Sequence, residues 1–345
     1  MATGRRALLV LALLAATSAA AHEIGSAKVE ITLAKDGRYT VVAKIDPEHV
    51  APGPLRTSRE TLRREFIEKA RIAFDGVPRE LVETDESKAT PLPDWPAFIL
   101  KFSGRIPAEA KGVTFRQDAA IGWYLVQVIN EGIEGSASQW LDVGKESKPF
   151  AIAAPPPAPT LGSTVAQYVV LGYQHIVPKG LDHILFVLGL FLMSTRWRAL
   201  LAQVTAFTVA HSITLGLAIY GALSLPSTVV EPLIAASIVY VAIENVLAKE
   251  LHKSRIAVVF CFGLLHGLGF AGVLRELGLP RSQFLPALLS FNLGVELGQL
   301  SVIALAFLAI GWLGSRPWYR RRIVIPGSLA IAAVGLYWTI QRIWV

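Results

Sequence analysis

Four histidines and three acidic residues of this chain stand inside apolar runs, where each costs free energy unless it meets a partner or a water-filled path. They are His175, Asp182, His183, His211, Glu244, His266 and Glu296. Asn292, Glu296 and Gln299 are spaced i, i+4, i+7 and so share one helical face. Thr205 and Thr208 stand at helical spacing from His211, with Ser212 beside it, and Ser237, Tyr240 and Glu244 form another stripe next to Asn245. Gly263 and Gly267 flank His266 at a small-xxx-small spacing that lets a neighbouring helix come close. Imidazole suits nickel, zinc and copper, and carboxylate or carboxamide adds harder ligands. The adjacent Asp182 and His183 also allow the acid to orient an imidazole from behind. The expected ligand set is therefore His175, Asp182, His183, His211, Glu244, His266, Asn292 and Glu296.

Structural roles compete for some of these residues. A single intramembrane histidine often only bridges two helices, and Asn292 and Gln299 fit that use as well. Cys261 reads as a small buried apolar residue. His252, among Lys249, Lys253 and Arg255, reads as surface, as does His49 in the soluble part. Seven ionisable groups in the apolar runs are harder to attribute to packing than any one of them.

The elements that carry these residues are membrane-spanning helices. Five long apolar runs cover about 199–221, 229–248, 256–274, 284–313 and 323–341. Two shorter ones, 165–177 and 181–195, are split by Pro178-Lys179-Gly180. Each short piece falls below the roughly 20 residues of a bilayer-spanning helix. Counted as one broken span, they put nine basic residues (Arg196, Arg198, Lys249, Lys253, Arg255, Arg316, Arg320, Arg321, Arg322) on the cytoplasmic side. The opposite loops then hold only Lys179, Arg275 and Arg281. Counted as two, the bias inverts and breaks the positive-inside rule. The expectation is a six-helix membrane domain over 161–345, its first helix broken, with the soluble part and the C-terminus both periplasmic.

The remainder of the chain is of another kind. Residues 1–21 have the basic, apolar and small-residue order of a signal peptide, Arg5-Arg6 leading. Cleavage after Ala21 would leave His22 first. Residues 22–160 hold 18 Lys+Arg against 20 Asp+Glu, a soluble balance, while 161–345 hold 13 against 6. The net charge of +7 thus reports topology, and no aromatic-basic motif points to nucleic acid. Residues 22–152 read as a β-rich, sandwich-like periplasmic domain. Lys28–Leu33 and Tyr39–Ile45 alternate around a Lys35-Asp36-Gly37-Arg38 turn, and Phe98–Phe102, Val113–Phe115 and Trp123–Ile129 are further strands. Thr57 and Glu60 have capping-box spacing before a helix with Leu62 and Phe66 on one face. Residues 153–160 form a Pro-rich, extended linker. The domain shows no catalytic constellation; a periplasmic protein partner is the use expected of it. One cysteine excludes an internal disulfide framework.

The apolar half resembles the HupE/UreJ membrane proteins, accessory to nickel hydrogenases and ureases. The resemblance rests on HIVPKGLDHILF at 175–186, TVAHSIT at 208–214, Glu244-Asn245, GLLHGLGF at 263–270 and FNLGVE at 291–296, over about residues 165–345. It implies a nickel or cobalt permease of the bacterial inner membrane, and it maps onto His175, Asp182, His183, His211, Glu244, His266 and Glu296. The His-to-Asp-His element, with six residues between His175 and Asp182, is longer than that of short permeases and is interrupted by Pro178. The exported domain is also an addition.

Two functions follow. The first is potential-driven uptake of Ni2+ or Co2+, with the lipid bilayer and a divalent ion as partners and no permanently bound cofactor. No Walker A sequence is present, and a double charge crossing 100 mV gains about 4.6 kcal/mol. The ligands would form a ladder: Asp182 and His183 near the outer face, His211, His266 and Glu296 at mid-depth, Glu244 nearer the cytoplasm. The second is an intramembrane Zn2+-dependent hydrolase, with Glu296 as general base. A closed set of three protein ligands would mark the enzyme, and ligands strung across the membrane the permease.

Overall fold

The computed structural model describes residues 27–45, 59–84, 98–119, 124–154, 160–248, 250, 252, 254–269 and 283–344. The leader, His22, His49, Thr57, Trp123 and the linker prolines lie outside the described residues. The chain divides into two compact units, one over His22–Pro159 and one holding the helices of Thr160–Val345.

In the first unit, β1 (Ala27–Leu33) and β2 (Arg38–Ile45) form the expected hairpin, paired antiparallel from Leu33↔Tyr39 to Ala27↔Ile45. Gly37 takes the positive φ of +78° on which the turn depends. Period-2 alternation sets the faces: Val29, Ile31, Val41 and Ala43 are buried, and Lys28, Glu30, Thr40, Val42 and Lys44 between them are more exposed. Helix α1 (Arg59–Lys69) buries Leu62 and Phe66, as expected. The chain then adds β3 (Ala70–Phe74), β4 (Val77–Arg79), β5 (Val82–Glu83), β6 (Phe98–Arg105), β7 (Gly112–Gln117), β8 (Tyr124–Asn130), β9 (Ala137–Leu141) and β10 (Phe150–Ala151). They build a six-stranded sheet, β5-β6-β2-β1-β8-β9, and a four-stranded one, β10-β7-β3-β4. β1 runs parallel to β8. One cluster of buried side chains draws on both sheets and on α1, including Val29, Val41, Phe66, Phe102, Phe115 and Tyr124. The Tyr124 hydroxyl accepts the Gln117 N–H at 2.9 Å, and burial pushes that phenol's pKa up.

The second unit has seven helices among the described residues: α2 (Leu161–Ile176), α3 (Leu181–Met193), α4 (Trp197–Ile219), α5 (Ser227–Leu247), α6 (Arg255–Gly269), α7 (Phe284–Ile310) and α8 (Ile325–Trp344). Thr160 caps α2 by accepting the Ser163 N–H at 3.2 Å. Val177 leaves the helix in extended conformation, as a residue before proline does. Four helices are long and apolar enough to cross a membrane: α4, α5, α7 with the turn after it, and α8 with the π-turn Arg320–Val324 before it. The pair α2 and α3 passes the same test as one span bent by 70°, at the Pro178-Lys179-Gly180 break. Helix α6 covers 15 described residues of the run expected to be a sixth crossing, and is shorter than a span.

Glycines bring backbones together at two seams. A methyl group on Gly172 would overlap the Phe291 carbonyl, and one on Gly294 the Val169 carbonyl, so α2 and α7 cross with nothing between them. Gly263 and Gly267 meet the Phe207 and His211 carbonyls in the same way, which joins α6 to α4 as the small-xxx-small spacing foretold.

Two expectations are corrected here. Arg255 is no loop residue: it opens α6 and is 1 % exposed. Cys261 faces outward rather than into the bundle. In a membrane bundle an apolar outer face costs nothing, so hydrophobicity does not mark the inside.

Candidate metal centre

The break between α2 and α3 builds one side of the site. Gly180 sits against the His175 carbonyl so closely that any side chain would collide with it. The chain therefore turns within a few residues, and the last turn of α2 and the first turn of α3 face each other. His175 and His183 meet there, ring centres 4.8 Å apart. Helix α4 brings His211 to 6.0 Å from His175 and 6.1 Å from His183. One potential ligand nitrogen from each of these three buried side chains lies within 4.8 Å of the other two. His266, on α6, adds a fourth ring 4.9 Å from His183. Metal–nitrogen bonds of about 2.0–2.1 Å put the ligands of a tetrahedral site about 3.3–3.4 Å apart, so the widest pair of the trio would close by about 1.4 Å on an ion.

Two of the imidazoles are aimed. His211 Nδ1 lies 2.9 Å from Asn292 Oδ1, and Asn292 Nδ2 donates to the Leu288 carbonyl at 2.9 Å, which fixes the amide's orientation. His266 Nδ1 lies 2.8 Å from the Phe262 carbonyl. Both oxygens only accept, so each Nδ1 carries its proton and each Nε2 presents a lone pair. The Nε2 atoms of His183, His211 and His266 are buried and have no hydrogen-bond partner among the described residues. A buried polar atom left in this way calls for an explanation, and a metal ion supplies one. Phe186, Phe207 and Phe291 wall the cluster: Phe207 stands 5.0 Å from the His266 ring and Phe291 5.6 Å from that of His175.

The other expected ligands sit elsewhere. Asn292 stands behind His211. Asp182 Oδ2 pairs with Arg342 Nη2 at 2.9 Å. Glu244 Oε2 lies 3.1 Å from Arg255 Nη1, and Arg255 Nη2 donates to Asn245 Oδ1 at 3.0 Å. Glu296 is half-buried on α7 and accepts from the exposed Thr205 at 2.7 Å, while Gln299 accepts from Thr208 at 3.3 Å. The four histidines therefore form one compact group, not rungs of a ladder. Sequence reasoning missed the two arginines. Arg255 had the look of a loop cation, and Arg342 stood at the end of the final run with nothing to announce its partner.

The helices are those of a membrane-embedded bundle, and their buried imidazoles can hold a divalent metal ion. Neither the curated proteins nor the solved structures contain a match to the chain. A family model described as HupE / UreJ protein matches residues 155–342, more than half of the 345 residues and the seven described helices but for the last two residues of α8. The chain belongs to the HupE/UreJ family.

Proposed function

We propose that this protein is an inner-membrane permease for Ni2+ or Co2+, driven inward by the membrane potential. The observation that carries the reading is the set of aimed, buried Nε2 atoms inside a phenylalanine-walled bundle. Imidazole ligands suit these ions, and membership of the family supports transport over catalysis. A single compact centre replaces the ladder, with His175, His183 and His211 as ligands and His266 as the fourth. Asp182 is the carboxylate nearest in sequence, and Asn292 orients His211. Cells making the protein should accumulate more radiolabelled nickel or cobalt than cells lacking it, less when the potential is collapsed, and none in excess with His183→Ala. No excess of either ion would defeat the reading.

The compactness of the histidine set favours a second reading by ligand count: a zinc centre of an intramembrane hydrolase. Against it, Glu296, the expected base, turns to Thr205 on the outer side of the bundle. Zinc-dependent cleavage of a membrane substrate, without metal uptake, would put this reading first.

The arrangement proposed for the membrane is six crossings, with α2 and α3 as one and the apolar run at 256–274 as another. The β-rich domain and the C-terminus are then periplasmic, the domain being an accessory module for a protein partner there. A periplasm-active reporter fused after Leu225 should be active and one fused after Lys253 silent; the opposite pattern removes the model.

A further inference from the structure

Arg342, in the last turn of α8, is paired with a residue 160 positions earlier in the chain. Its Nη2 meets Asp182 Oδ2 at 2.9 Å, its Nη1 donates to the Glu231 carbonyl at 3.2 Å, and its guanidinium lies 5.7 Å from the Trp338 ring centre. Both charged side chains are largely buried, at 18 % and 13 % exposure. The second carboxylate oxygen, Asp182 Oδ1, is buried and has no hydrogen-bond partner among the described residues. Asp182 immediately precedes His183 in the first turn of α3. A carboxylate one residue before a cluster histidine is thus half committed: one oxygen is held by a guanidinium and the other has no described hydrogen-bond partner.

We propose that Arg342 is a tethered cation that sets the charge of the metal centre and competes with the arriving ion for Asp182. The inference rests on the transport reading above. Imidazoles that bind metal are neutral. With Arg342 and Asp182 both charged, the centre carries no net charge before the ion arrives and +2 after. Without Arg342 the same centre would go from −1 to +1. In a low-dielectric interior a whole unit of charge weighs heavily. The guanidinium therefore weakens ion binding, which would harm a permanent metal site. A permeation site needs it, because the ion must leave as well as enter. It also discriminates by charge. A monovalent ion attracts Asp182 half as strongly as a divalent one and displaces the guanidinium poorly, so the pair filters against sodium and potassium.

The test is calorimetric titration of the purified full chain in detergent with Ni2+, Co2+ and Zn2+. Arg342→Gln should bind the preferred ion at least tenfold more tightly than wild type. Asp182→Asn, which removes the carboxylate and keeps the guanidinium, should bind at least tenfold more weakly. The double variant Asp182→Asn/Arg342→Gln should regain at least tenfold over Asp182→Asn. That recovery carries the test alone if Arg342→Gln does not accumulate, because removing both charges leaves no buried ion unpaired. A purely structural arginine predicts no gain in affinity from Arg342→Gln and, in the double variant, a higher unfolding temperature than Asp182→Asn with no gain in affinity. Wild-type binding with an unchanged or weakened Arg342→Gln, or a double variant no better than Asp182→Asn, overturns the inference alone. Wild-type protein that binds none of the three ions overturns the transport reading as well.

Discussion

Two clusters of buried polar side chains lie in the same helix bundle, and they are built on opposite principles. Around Arg255, charge answers charge: Glu244 lies 3.1 Å away, Asn245 accepts from the guanidinium, and Asn245 in turn donates to the Gly189 carbonyl at 2.7 Å and to Ser328 at 3.2 Å. That network ties α5, α6, α3 and α8 together. Around His183 the Nδ1 atoms of two neighbours are tied back, and the Nε2 atoms point into the cluster with no described partner. The first arrangement spends its polar groups on holding helices; the second keeps them in reserve. Burial alone does not separate a fastening from a binding site. What separates them is whether each charge has met its opposite: Arg255 keeps a buried Nε without a hydrogen bond, yet its guanidinium is paired with Glu244 and Asn245, whereas the Nε2 atoms of His183, His211 and His266 have no described hydrogen-bond partner at all.

The sharpest way to break this contrast is to remove one partner from each cluster and compare stability with binding. Glu244→Gln leaves the Arg255 guanidinium buried beside a neutral amide. Stranding one charge of a buried pair costs about 3–5 kcal/mol, and here nearer 3 because Glu244 keeps some exposure. Thermal unfolding of the purified variant should fall accordingly, while any protein that remains folded binds metal as wild type does. His183→Ala should do the opposite: at least a hundredfold loss of nickel affinity with a change in unfolding midpoint too small to affect protein yield. If His183→Ala unfolds the protein as Glu244→Gln does, the histidines are fastenings too.

A smaller effect should appear one step out from the ligands. Asn292→Ala removes the oxygen that fixes the His211 tautomer but leaves all four imidazoles. Loss of such an outer partner typically lowers metal affinity about 10–100-fold, so titration should place this variant between wild type and His183→Ala. Wild-type affinity in Asn292→Ala would mean that His211 needs no orienting partner.

The local parts of the structure were legible in the sequence. The Lys35-Asp36-Gly37-Arg38 turn, the alternation around it, the Leu62/Phe66 face and the α2–α3 break all follow from neighbouring residues. The histidines announced themselves because imidazole in an apolar run needs a reason. Which way each helix faces was not legible. On α7, Leu285, Leu289 and Leu293 point outward while Leu288, Phe291 and Val295 point inward, and both faces are equally apolar. Lipid is as apolar as a protein core, so amphipathic pattern cannot report rotation in such a helix. For that reason the gathering of four histidines, the burial of Arg255 and the outward face of Cys261 had to come from packing. The pairing of Asp182 with Arg342 joins residues too far apart in the chain for any spacing rule. In the β-rich unit, β3, β4, β5, β9 and β10 went unread because each has five residues or fewer.

The two glycine seams give the bundle a mechanical grain. Helices α2 and α7 are riveted backbone to backbone at Gly172 and Gly294, and α4 and α6 at Gly263 and Gly267. Sliding within either pair drives carbonyl into backbone at once, so each pair behaves as a stiff plank. Among the described residues, the hydrogen bonds between the planks join side chain to side chain: Thr205 to Glu296, Thr208 to Gln299 and His211 with Asn292. His175 rides on one plank, His211 and His266 on the other, and His183 on α3. A shift of one plank against the other would therefore pull the ligand set apart.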